Sequence, residues 1–234
     1  MNCPHCNHPA SGRYCSNCGE KLVVRKLAFH PVLSGFVKDV SNFDKGILFV
    51  LKSMFLDPKS FCLSYLAGKR KPGLNPFTFF FISISVYVAL NQFLDLNPVF
   101  ESKGYAFKTE SYNKGVKLGA FFGAYKKYFW LFMFIPLASS ARFVFKKYNF
   151  TEHIAISAYI MGFATSLLCV IQALFYIPIL WNPFAFLIIL WSVFRIFRNG
   201  ESLLKMFISA TSVLLLMLLK LLFCFLLVYY AFIK

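Results

Sequence analysis

Carboxylates are scarce in this chain. Asp and Glu together number nine in 234 residues, against 25 Lys and Arg, and charged residues make up only 15%. None of the nine lies inside a long apolar run, so a proton relay across a membrane lacks its acidic member. No glycine-rich loop of the phosphate-cradling kind is present, which excludes nucleotide binding of that type. The N-terminus is polar and cysteine-rich rather than basic and then apolar, so no cleavable signal peptide is expected. The first span must then act as its own targeting signal. In residues 95–127, Asp95, Glu101 and Glu110 stand among lysines and aromatics without any nucleophile–base–acid spacing.

What the chain has in excess is apolar surface. Hydrophobic residues reach 59% and phenylalanine alone contributes 31 positions. That composition is too apolar for an ordinary soluble domain. The expected fold is an all-α polytopic membrane protein of about five transmembrane helices, spanning roughly 74–94, 128–145, 154–177, 179–197 and 211–231. A small four-cysteine zinc ribbon (1–22) and a basic amphipathic juxtamembrane segment (23–72) precede this transmembrane domain (73–234).

The cysteines form the sharpest motif. Cys3-Pro4-His5-Cys6 and Cys15-Ser16-Asn17-Cys18-Gly19 are two C-x2-C pairs separated by eight residues. Each pair can turn tightly enough to aim two sulfurs at one ion. The gap, with Ser11-Gly12 as a turn, suits a hairpin that closes a tetrahedral site. This donor set favours structural zinc over iron or a redox-active dithiol. Four thiolates complete the shell, so His5 and His8 are expected in exposed loops. A closed site keeps no position for water and is not expected to be catalytic. About 20 residues cannot build a core, so the ion would supply the folding energy. Cys62, Cys169 and Cys224 lie in apolar surroundings and read as small buried hydrophobes.

Zinc held by four thiolates would lower the formal charge of +16 to about +14. In a protein this apolar, the basic excess points to a bilayer with anionic headgroups rather than to nucleic acid. Lys38, Lys45 and Lys52 recur every seven residues, along a stripe opposite Ile47, Leu48, Val50, Leu51, Met54 and Phe55. About 12 residues between Asp44, a candidate cap, and Asp57-Pro58 cover roughly 18 Å, too short to cross a bilayer. The segment is expected to lie in the headgroup layer, with packing on the membrane bundle as the alternative. Lys69, Arg70 and Lys71 then precede the first span and would hold that end on the cytoplasmic side.

The cysteine pairs, Asp57-Pro58, Tyr65-x-x-Gly68-Lys69-Arg70 and the proline-led start at Pro76 together resemble an uncharacterised bacterial family of zinc-ribbon-headed multipass membrane proteins. The resemblance covers about the first third of the chain. It implies a bacterial inner-membrane location and no established activity. The family pattern implies an aromatic residue just before Leu74-Asn75-Pro76, where this chain has Gly73.

Counting cations sets the expected topology. Eleven Lys/Arg before the first span, three after the second and three after the fourth place seventeen inside; six in residues 95–127 and Lys234 place seven outside. The N-terminus is therefore expected in the cytoplasm and the C-terminus outside. If the fourth segment starts only at Phe184 it reaches roughly 21 Å and reads as re-entrant, which would leave four crossings. Asn75-Pro76-Phe77 and Asn182-Pro183-Phe184 start two spans alike, through an Asn cap followed by Pro in the first turn.

Lys220 remains inside the last span. Asn91, Gln92 and Gln172 are its candidate neutral partners. It either lines a path or snorkels to an interface. Glu152-His153 reads as a helix-start carboxylate beside an interfacial imidazole. The leading expectation is a non-enzymatic scaffold or regulatory protein that docks a cytosolic protein through the ribbon and the basic helix. The alternative is a small transporter or channel, in a homo-oligomer if one forms, with Lys220 lining the path.

Overall fold

The computed structural model describes residues 43–69, 73–93, 129–175 and 182–233, with Cys3, Cys6, His8, Pro9 and 15–18 ahead of them. Seven helices follow in order: α1 Phe43–Leu56, α2 Pro58–Leu66, α3 Pro76–Phe93, α4 Phe134–Val144, α5 Phe150–Phe175, α6 Pro183–Phe197 and α7 Leu203–Ile233.

Local chemistry explains most of their ends. Asp57 stops α1 and caps α2, its carboxylate accepting the Ser60 N–H at 3.2 Å, with Pro58 in the first turn. Asn75 accepts the Phe77 N–H at 3.1 Å, and Asn182 accepts the Phe184 N–H at 3.0 Å. The two Asn-Pro-Phe sequences are thus the same cap used twice. At the start of α5, Asn149 accepts the Glu152 N–H while Glu152 accepts the Asn149 N–H, both at 2.8 Å. That reciprocal pair is a capping box. A helical turn from Phe129 leads into α4 and breaks at Met133. Pro136 has no N–H to give the Phe132 carbonyl, which accounts for the break.

α5 is the axis of the bundle. Every residue from His153 to Thr165 is buried, so this stretch is enclosed on all sides. α3, α4 and α6 pack on it, and α7 leans on α4 and α6. Leu74 meets Tyr159, Ser83 meets Ser166 and Asn91 meets Gln172. These pairings rise together along the sequence, so α3 and α5 run in the same direction. Trp130 donates to Thr165 at 2.9 Å, while Phe145 and His153 both stack on Phe197. α4 and α6 therefore run opposite to α5. The start of α3, the α4–α5 turn and the α6–α7 turn share one end of the bundle.

Gly162 makes the α3–α5 approach possible. A Cβ there would lie 2.7 Å from Phe79 Cδ1 and 3.1 Å from the Phe80 backbone Cα. One turn earlier, Tyr159 ties three helices together. Its hydroxyl donates to the Leu74 carbonyl at 2.6 Å, and its ring meets Phe61 and Tyr65 of α2 edge-on at 4.9 and 5.4 Å.

Among the described residues, three helices are long and apolar enough to cross a membrane: Pro76–Phe93, Phe150–Phe175 and Leu203–Val228. The other two expected spans form shorter apolar helices, Phe129–Val144 and Pro183–Phe197. The last helix starts at Leu203, eight residues before the expected 211. Its Met206, Ala210, Val213 and Met217 are buried, while Leu218, Leu219, Leu222, Phe223, Leu226 and Leu227 are exposed.

Candidate metal centre and basic end of the bundle

The four N-terminal cysteines converge. All their Sγ atoms lie within 4.8 Å of one another, with Cys3–Cys18 at 3.5 Å and Cys6–Cys15 at 3.6 Å. A tetrahedral ion with metal–sulfur bonds of about 2.3 Å requires sulfur separations of roughly 3.8 Å, so the set fits one metal ion. The Cys3 N–H donates to the His8 carbonyl at 2.9 Å and closes the first loop. Cys3 and Cys15 are buried, Cys6 and Cys18 partly so, and all four are free thiols. The His8 backbone N–H pulls the Cys6 thiol down to about 6 against a smaller opposing desolvation, with help from Asn17, Cys18 and Cys15. A thiol poised this way is thiolate at neutral pH, the form a metal needs. His8 is exposed, and His5 lies outside the described residues.

The other cysteines divide. Cys62 and Cys169 are buried, and burial pushes the Cys62 thiol up. Cys224 is exposed on α7, against the expectation of burial.

α1 packs on the bundle along one side. Val50 and Met54 join the main core, which answers to packing on the bundle. Leu48, Phe49, Phe55 and Leu56 face outward with Lys52 among them, an apolar surface that carries a cation. Lys52 and Lys69 are exposed. Lys38, Arg70, Lys71 and the side chain of Lys45 lie outside the described residues.

Cations gather where the helix ends meet. Arg142 donates to the carbonyls of Lys146 and Tyr148, at 3.0 and 2.5 Å, and closes the α4–α5 turn. Lys59 donates to the Arg198 carbonyl, and Arg195 to the Leu56 carbonyl at 3.3 Å. These two bonds join the α1–α2 corner to the C-terminal end of α6.

His153 is buried rather than interfacial. Its Nε2 bonds the Phe145 carbonyl at 2.9 Å and its ring stacks on Phe197. The side chain is a packing element under the α4–α5 turn. Lys220 donates to Ser139 at 2.8 Å and Ser140 at 3.1 Å. Asn91 and Gln172 instead bond each other, and Gln92 is exposed. No sequence rule pairs positions some 80 residues apart, so spacing does not reveal Ser139 and Ser140 as partners of Lys220. The Asn149-x-x-Glu152 box was readable from its spacing.

The Tyr65-x-x-Gly68 motif has a physical explanation. Gly68 has φ +98°, and the N–H groups of Lys69 and Gly68 return to Ser64 and Tyr65 at 2.9 and 3.0 Å. This double bond pattern is a Schellman cap. Tyr65 is buried against Tyr159, so the motif docks α2 and then turns the chain toward α3. Gly68→Val is expected to destabilise the protein by about 1–3 kcal/mol, because a β-branched residue is strained there. Gly68→Asn should cost less. Thermal unfolding in detergent compares them, and equal melting of valine variant and wild type would remove the role given to Gly68.

The chain is thus a helical bundle with membrane-length helices and a four-cysteine cluster that can hold a metal ion. A family model described as "Protein of unknown function (DUF3667)" matches residues 44–88. No curated protein and no solved structure matches the chain. The matched stretch runs through α1 and α2 into α3. It contains the Asp57 and Asn75 caps and the Tyr65–Gly68 corner, and it leaves the four N-terminal cysteines outside.

Proposed function

We propose that this chain is a non-enzymatic protein of the bacterial inner membrane that carries a zinc-bound head and docks a cytosolic protein partner. The observation that carries the reading is the gathering of cations at one end of the bundle. Lys59 and Lys69 sit at the two ends of α2, and Arg142, Lys146, Lys147, Arg195, Arg198 and Lys205 sit at or beside the two turns that share one end of the bundle. Positive charge on one side of a membrane bundle marks the cytoplasmic face. The head precedes α1 in the chain, and in this reading it lies on the same cytoplasmic side, where its thiols meet a reducing compartment. Four sulfurs at these separations suit zinc best among common ions, as a closed structural site. α6 runs back antiparallel to α5 from the level of Val170 to that of His153, which favours five crossings over a re-entrant fourth segment. Lys220, tied to two serine hydroxyls of α4, serves helix packing in this reading, and transport along it takes second place.

Photo-crosslinkers at Ser16 and Asn17, both exposed in the head, test the docking. In cells, a discrete adduct with a cytosolic protein is expected, and it should disappear in Cys3→Ala and Cys15→Ala. An adduct unchanged by loss of the ligands, or crosslinking to lipid alone, would refute docking through the head.

A further inference from the structure

One face of α6 is apolar along its first two turns and basic at its end. Phe184, Leu187, Ile188 and Trp191 line an open groove of about 480 Å³ against α5, with Phe163 and Val170 opposite. Arg195 and Arg198, with Lys59 of α2, line a cleft of about 430 Å³ at the basic end. Positions 184, 187, 188, 191, 195 and 198 fall on a single stripe of a helix with 3.6 residues per turn. Phe55 borders the groove and Leu56 borders the cleft, so the two spaces adjoin at the end of α1.

The chemistry of the cleft suits a phosphate. Three cations line it beside one carboxylate, Asp57, which is committed to capping α2. Lys59 and Arg195 spend one bond each on backbone carbonyls, and among the described residues the ion pair is elsewhere, between Lys205 and Glu201. Guanidinium groups retain donors for a bidentate anion. The dimensions suit a lipid. The fourteen steps from Phe184 to Arg198 rise about 21 Å, close to half of a bilayer measured with its headgroups.

We propose that this face of α6 holds one anionic phospholipid lengthwise, its phosphate between Lys59, Arg195 and Arg198 and an acyl chain in the groove. The inference rests on the membrane setting and is independent of the head, so it stands if docking through the zinc site fails. It makes the α1–α2 corner and the α6–α7 turn a composite lipid clamp.

Trp191 lines the groove and reports directly on the occupant. The full chain with Trp130→Phe and Trp181→Phe, reconstituted in bilayers of phosphatidylcholine, receives equal small fractions of brominated-acyl phosphatidylglycerol or brominated-acyl phosphatidylcholine. Greater quenching by the anionic lipid is expected. The preference should fall about tenfold in Arg195→Gln/Arg198→Gln and persist in Lys205→Gln. Equal quenching by both lipids, or a preference indifferent to the arginine pair, would overturn the site. A third arm adds inorganic phosphate to the protein in neutral detergent without lipid. Thermal stabilisation there that depends on the arginine pair, together with no lipid preference, would mark a soluble phosphate site and overturn the lipid assignment. Circular dichroism of each variant checks that the helices are intact.

Discussion

A leucine at position 162 is expected to drive α3 and α5 apart and to give the largest loss of stability of any single change in the bundle. The atoms in the way are immobile. Phe79 is fully buried, and the second obstacle, 3.1 Å from the new Cβ, is the Phe80 Cα in the α3 backbone. A side chain of four carbons cannot be absorbed by a rotamer change, so the helix itself must shift. That shift would break the Ser83–Ser166 and Asn91–Gln172 hydrogen bonds, which need the present spacing. Overpacking of a well-filled core costs about 1–3 kcal/mol, and the leucine variant belongs at or above the top of that range. Gly162→Ala should be milder, since alanine's helix propensity offsets up to about 1 kcal/mol of the clash. Thermal unfolding in a single detergent measures both. A double variant, Gly162→Ala with Phe79→Leu, should regain part of the loss by trimming the ring. A leucine variant as stable as wild type would show that the two helices do not cross here.

The second large effect concerns the head. Cys15→Ser is expected to reduce metal content from about one ion per chain to a small fraction, and to leave the head without stable structure. Among its described residues the buried ones are Cys3 and Cys15, so a bound ion would serve as the core. Binding by structural zinc sites is worth about 10–16 kcal/mol at neutral pH, far more than so short a segment can replace. The bundle has its own core, so melting of the helices should hardly change. Elemental analysis and a thiol count, with and without chelator, make the comparison. Full metal content in the serine variant, or disulfides among these cysteines in native protein, would exclude the site. Acid should act like the mutation. The folded head holds the Cys6 thiol at about 6, below the ordinary 9.0, so its thiolate favours the head above that ordinary value. The benefit is lost as pH falls through about 6, and metal retention should fall with it.

The likeness over 44–88 falls on a structural corner rather than on the metal cluster. Asp57, Tyr65, Gly68 and Asn75 are each explained by a cap, a ring contact or a left-handed turn. What those residues secure is the angle between the amphipathic α1–α2 arm and α3. The same corner forms one wall of the basic cleft through Leu56, Asp57 and Lys59. A motif that reads as juxtamembrane charge in one dimension is, in three, a capped corner beside a cationic wall.

Several features were legible because their causes are local. The two C-x2-C pairs and the Asn-Pro caps depend on residues a few positions apart, and each appears where spacing placed it. Helix lengths were less legible. Apolar composition does not distinguish a helix enclosed by protein from one facing lipid, so α5 and α7 looked alike although the first is enclosed and the second largely exposed. His153 was read as interfacial from its place at a helix start, yet Phe197, 44 positions later in the chain, covers it.

From the chain alone came the partition between a sulfur-rich head and an apolar body, because thiolate spacing and transfer of side chains from water are properties of short segments. Tertiary structure decided which polar groups meet: Lys220 with Ser139 and Ser140, Asn91 with Gln172, and Lys59 beside Arg195 and Arg198. Those encounters depend on helix direction and on the contact distance allowed at Gly162, and short-range pattern carries neither quantity.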